Sequence, residues 1–128
     1  MMLLDRIAAR GHEQVVLVAD AASGLRAVIA VHSTALGPSL GGVRFWQYPD
    51  EAAAIGDALA LSEAMTLKAA AAGLDQGGGK AVVMLDPTRP RTITTLRALG
   101  RAIDELGGRY IAAEDVGATQ QDMDWIAL

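Results

Sequence analysis

The sequence contains no cysteine, which removes a disulfide framework, a thiolate nucleophile and any cysteine-held zinc or iron–sulfur site. It has no His-x-x-x-His pair, and His12 and His32 lack ligand-type partners at useful spacing, so no metal site is expected. No apolar run approaches the ~20 residues that cross a bilayer. The opening Met1-Met2-Leu3-Leu4 meets Asp5 and Arg6 too soon for a signal peptide. Basic residues number 11 against 15 acidic, a net charge of −4, which argues against nucleic acid as the main partner. Phosphate fingerprints are missing too. Gly-x-Gly-x-x-Gly occurs nowhere, and the nearest approach to a P-loop has Leu74 at its first position and Ala81 at its last. These exclusions leave a cytoplasmic soluble domain with no membrane partner. Scarcest of all the charged residues is lysine: of the 11 basic residues only Lys68 and Lys80 are not arginine. Lysine can act as a neutral amine and arginine cannot.

What is present is a chain of 128 residues, 52% hydrophobic and 20% charged, enough for one domain (1–128) with a core of its own. A short helix over 3–9 closes at Gly11. Two β-rich runs, 13–20 and 25–31, flank the turn sequence Asp20-Ala21-Ala22-Ser23-Gly24 and predict a hairpin. The stretch 32–42 is polar and glycine-rich, Pro38 argues against a central strand there, and 43–46 makes a short third strand. Asp50 caps a helix over 51–72 that Gly73 stops, which puts Lys68 near its last turn. The run 81–85 reads as a strand buried on both faces. A further helix starts at Thr92 or Thr94, 110–113 is another strand, and Thr119 with Asp122 opens a last helix. The alternation predicts an α/β fold: a three-layer αβα sandwich with a mixed, largely parallel sheet and an N-terminal antiparallel hairpin.

Candidate chemistry gathers at Gly77-Gly78-Gly79-Lys80 and Glu114-Asp115. The glycines suit either a tight turn or backbone that must approach a ligand closely. Glu114 and Asp115 lie beyond the carboxyl end of a strand, where open α/β sheets bind ligands. Lys80, taken as the amino end of its strand, shares that rim only if its strand runs antiparallel to 110–113. Met65 and Trp46 suit packing, and Asp122 and Asp124 suit the first turn of a helix.

Four segments in register carry a resemblance: Leu36-Gly37-Pro38-Ser39-Leu40-Gly41-Gly42-Val43-Arg44, Met65-Thr66-Leu67-Lys68-Ala69-Ala70, Gly77-Gly78-Gly79-Lys80 and Ala113-Glu114-Asp115-Val116-Gly117. Together they resemble the N-terminal substrate-binding and dimerisation domain of the glutamate/leucine/phenylalanine/valine dehydrogenase family, in its leucine and valine branch. The resemblance implies oxidative deamination of an L-amino acid to a 2-oxo acid and ammonia, with NAD as hydride acceptor. It implies that Lys68 holds the substrate carboxylate, that Lys80 is the base activating water, and that Asp115 assists proton transfer. It places Gly41, Gly42 and Met65 along the substrate backbone and Leu40 and Ala113 in the side-chain pocket. Apolar Leu40 points to an aliphatic substrate, and a larger aromatic one needs a wider wall. Homo-oligomerisation is implied through this domain. The family's second, Rossmann-type domain is absent, so the expectation is an excised half-site with almost no turnover alone. The alternative is a noncatalytic oligomerisation or amino-acid-binding module, against which the retained Lys68, Lys80 and Asp115 speak.

Overall fold

The computed structural model describes residues 2–128. Its elements in chain order are α1 (Leu3–Arg10), β1 (Gln14–Asp20), β2 (Leu25–Val31), β3 (Ser39–Trp46), α2 (Glu51–Ala71), β4 (Gly77–Met84), α3 (Ile93–Asp104), β5 (Tyr110–Glu114) and α4 (Gln120–Ile126). The strands form one sheet in the order β1-β2-β4-β3-β5. β2 runs antiparallel to both β1 and β4, while β3 is parallel to β4 and β5. Every strand but β2 therefore points the same way, giving the mixed, largely parallel sheet with its N-terminal hairpin.

Local chemistry fixes the helix ends. The Asp50 carboxylate accepts from the Ala53 N–H, and Thr92 and Thr119 each open a capping box. Helices cover both faces of the sheet. On one face Val28, Ala30 and Val82 pack against Ala54 and Ala58 of α2. On the other, Ile29, Val43, Phe45, Ala81 and Val83 pack with Leu96 and Leu99 of α3 and Ile126 of α4. Side chains alternate along a strand, so Gly78 and Lys80 share the α2 face with Val82. On the same face β3 presents Leu40, Gly42 and Arg44.

Two strands start earlier than the sequence suggests. β3 begins at Ser39 rather than 43, and β4 at Gly77 rather than 81. Glycine is a poor strand former by composition, yet here neighbouring backbone leaves no room for anything else. A Cβ on Gly78 would lie 2.2 Å from the Thr66 nitrogen and 2.3 Å from the Ser62 carbonyl oxygen of α2. Close approach is thus the reason for this glycine, and what approaches is a helix. Pro38 stays just outside β3 and accepts from the Gly77 N–H at 3.0 Å. Trp46, at the far end of β3, is 53% exposed and not a core residue.

His12 and His32 are structural. His12 Nε2 lies 2.7 Å from the Ser62 hydroxyl and 3.1 Å from the Leu59 carbonyl oxygen, and its ring meets His32 edge-on at 4.6 Å between centroids. His12 Nδ1 is buried with no partner. Burial, then the His32 charge, push the His12 pKa below 6.5, against the opposing pull of the Leu59 carbonyl. A depressed folded-state pKa means that the unfolded chain binds the proton more readily. Stability linked to His12 is therefore full above the unfolded value near 6.5 and is lost as pH falls toward and through the folded value. Thermal midpoints should drop between pH 7.5 and 5.5, and His12→Gln should flatten that slope. An unchanged slope in the variant would rule His12 out as its source.

Candidate functional site

The α2 face of the sheet is only half covered. α2 lies over β2 and β4, and the β3–β5 half stays open, with Ile111 of β5 43% exposed. Lys80 projects into this face near the edge of α2, its side chain only 6% exposed, and its ammonium makes an ion pair and a hydrogen bond with Asp115 Oδ2.

That meeting needs no antiparallel strand. β4 and β5 both run parallel to β3, so the condition set by taking Lys80 as a strand end does not hold. Lys80 is the fourth residue of β4. The pairings Leu40↔Gly78 and Val43↔Ala81 set it level with Gly42, and Gly42 is paired with Ala113. Asp115, just past the end of β5, then reaches back across β3. It can do so because Gly42 has no side chain: a Cβ there would sit 2.5 Å from the Asp115 Cβ and 3.0 Å from its Cγ. Gly42 is the gap through which β4 and the β5 rim touch.

Burial raises the Asp115 pKa, but the Lys80 hydrogen bond, the Val116 N–H, and the charges of Lys80 and Arg44 outweigh it. They hold the carboxyl below the usual carboxylate range. Asp115 thus favours its anionic form, half-buried in contact with the Lys80 side chain.

Of the remaining residues singled out by sequence, Leu40 and Ala113 lie on the same face, whereas Gly41 and Glu114 alternate to the other. Leu40, two residues before Gly42 on β3, lines a small, nearly all-apolar pocket of about 110 Å³ with Met65, Lys68, Ala69, Ala72 and Gly77. Lys68 sits in the last turn of α2, exposed to solvent, its ammonium making no hydrogen bond or ion pair among the described residues. Gly41 is walled in by the Gly79 carbonyl and accepts from the Tyr110 hydroxyl at 2.7 Å through its own carbonyl. Ala113 flanks Gly42 on the open side. Glu114 is exposed. Four larger depressions, the two largest of about 400 and about 610 Å³ at the start of α3 and between α3 and α4, are lined by neither Lys80 nor Asp115.

Sequence reading missed the support behind Asp115. Arg44 Nε lies 3.8 Å from Asp115 Oδ2, Arg44 Nη1 donates to Asp57 Oδ2 at 3.2 Å, and the Tyr48 hydroxyl donates to the same carboxylate oxygen. Burial first, then the Asp57 bond and charge, push the Tyr48 pKa well above its ordinary value, so it remains a donor. The available signal was the even spacing of Leu40, Gly42 and Arg44, which puts Arg44 on the site's face.

Among the described residues no helix is long and apolar enough to cross a membrane. A family model described as Glu/Leu/Phe/Val dehydrogenase, dimerisation domain, matches residues 12–128. A valine dehydrogenase of Streptomyces coelicolor is 58% identical over 117 residues, covering 91% of this chain and 32% of that protein. A leucine dehydrogenase of Bacillus cereus is 56% identical over 115 residues, 90% of this chain and 31% of that protein. The crystal structure of L-tryptophan dehydrogenase from Nostoc punctiforme superposes with a TM-score of 0.93 at 43% identity, covering 98% of this chain and 38% of that one. The chain spans about a third of the length of the valine and leucine dehydrogenases it matches.

Proposed function

The chain belongs to the Glu/Leu/Phe/Val dehydrogenase family, and from that premise we propose that the open half of its α2 face is the substrate side of an amino acid dehydrogenase site. The reaction is oxidative deamination of an aliphatic L-amino acid to the 2-oxo acid and ammonia, with NAD accepting hydride. The observation that carries this reading is the Lys80–Asp115 pair, a buried amine and an anion in contact, next to an apolar pocket that Lys68 borders. Exposed and without an ionic partner, Lys68 suits the substrate carboxylate. Lys80, in its neutral form, takes a proton from the attacking water, and Asp115 is placed to receive or return that proton. Leu40, Met65 and Ala113 offer apolar surface to the side chain, with Gly41 and Gly42 along the backbone.

NAD does not fit this chain's own residues. The N-termini of α2, α3 and α4 are closed by Asp50, Thr92 and Thr119, and no Gly-x-Gly-x-x-Gly unit joins a strand to a helix. We assign the dinucleotide to the remaining length that the relatives carry. Homo-oligomer formation through this domain is part of the same reading, supported by the dimerisation domain that the family model describes.

The test is turnover in the full-length protein. NADH should form with L-valine or L-leucine, and kcat/KM for L-glutamate should be lower by ~100-fold or more, since nothing cationic lines the Leu40 pocket except Lys68. Comparable use of glutamate would overturn the aliphatic assignment. In the same assay Lys68→Ala should raise KM for the amino acid about 10- to 100-fold, the value of a lost charge-assisted pair of roughly 1.5–3 kcal/mol. A normal KM would remove Lys68 from carboxylate binding.

A further inference from the structure

Arg44 Nε is buried and makes no hydrogen bond, although it points toward a carboxylate. Buried donors are nearly always paired, and an orphan at a functional site calls for a reason. The guanidinium is anchored through Nη1, which donates to Asp57 Oδ2 at 3.2 Å, and the Tyr48 hydroxyl donates to the same oxygen. The buried Nε is left without a bond, 3.8 Å from the one Asp115 oxygen that Lys80 already occupies. That gap exceeds an ordinary N–H···O bond of about 2.9 Å by roughly 0.9 Å.

We propose that Arg44 is a positioning residue for Asp115, a second donor that takes the Asp115 carboxylate when Lys80 turns to the substrate. This rests on the assignment of Lys80 and Asp115 to proton transfer above. Without Arg44, the Val116 N–H alone would hold the carboxylate at the edge of an open cleft each time Lys80 turned away. Arg44 prevents this: a small shift of Asp115 trades the Lys80 contact for the Nε–H of Arg44, and the anion stays charged and in place. Asp57 and Tyr48 keep the guanidinium from following. The charged and titratable groups around Asp115 are Lys80 of β4, Arg44 of β3, Asp57 of α2, Tyr110 of β5 and Tyr48 after β3.

The test compares Arg44→Met, Arg44→Lys and Asp57→Asn in the full-length protein, with Lys80→Ala as reference and thermal unfolding as a check on folding. Arg44→Met should lower kcat about 10- to 100-fold, the scale of a misplaced proton-transfer group, with KM for the amino acid within about 2-fold. Removing a cation makes deprotonation of the Lys80–Asp115 pair harder, so the acid limb of the pH profile should move to higher pH. Arg44→Lys should return that limb toward its original place while restoring kcat only in part, because the charge comes back without the Nε donor. Asp57→Asn removes an anion, so its limb should move to lower pH while kcat falls. Opposite shifts of this kind are not produced by loosened packing. If Arg44→Met leaves kcat and the limb unchanged while Lys80→Ala is inactive, the inference on Arg44 fails and the reading of Lys80 stands. Should Lys80→Ala keep its kcat, that underlying reading fails instead. If Arg44→Met does not fold, the direction of the Asp57→Asn limb decides.

Discussion

Lys80→Ala in the full-length protein lowers kcat by about 10²- to 10⁴-fold, the range a positioned general base supplies, while the amino acid still binds. Among the described residues Lys80 is the one buried amine on the open face, and its side chain is held on β4 rather than on a loop. Alanine removes the proton acceptor and leaves the Leu40 pocket and Lys68 untouched. Asp115 loses the strongest partner that holds its pKa down and keeps the Val116 N–H and Arg44. Its carboxyl then titrates at higher pH than before, so whatever activity remains falls off earlier on the acid side. A small primary amine added to the variant should recover part of kcat by entering the space left behind. Initial rates with saturating amino acid and NAD measure this, and an unchanged kcat removes Lys80 from the chemistry.

Gly78→Ala destabilises the protein by about 3 kcal/mol or more, at the upper end of what overpacking costs. The new methyl would lie 2.2 Å from one backbone atom of α2 and 2.3 Å from another. Backbone cannot rotate away as a side-chain tip can, so α2 and β4 must separate. Separation also breaks the bond from the Gly78 N–H to the Thr66 hydroxyl at 2.9 Å, through which the His32–Thr66 contact is tied to the sheet. For a domain of this size the thermal midpoint should fall on the order of 10 °C. A fall of less than about 2 °C would mean that the helix gives way easily and that the close approach is unimportant. Because Lys68 and Lys80 stand on the two elements being pushed apart, activity should be lost together with stability.

Elements whose ends are written in local chemistry were legible from sequence. Asp50 and Thr119 cap the helices they were expected to cap, Thr92 rather than Thr94 opens α3, and the 20–24 turn joins the hairpin. The early halves of β3 and β4 were not legible, since Leu40-Gly41-Gly42 and Gly77-Gly78-Gly79 look like loop by composition. What makes them strands lies elsewhere in the chain: the backbone of α2 packed on Gly78, and Asp115 folded over Gly42. The same blindness produced the false condition on strand direction for Lys80, because its place in the sheet depends on where β4 begins. Lys68, Lys80 and Asp115 could be picked out from the rarity of lysine and the four motif segments. Asp57 and Tyr48 could not, because only the folded chain brings a helix acid and a loop tyrosine to Arg44.

The two partners of the central ion pair belong to parts of the sheet with different lifetimes. Lys80 hangs from a strand with neighbours on both sides, whereas Asp115 follows the five-residue outermost strand, paired on one side only. Outer strands fray at a fraction of the free energy needed to unfold the interior. Warming should therefore unzip β5 from β3 and carry the carboxylate away while the amine stays seated, leaving a folded protein whose proton relay is already severed.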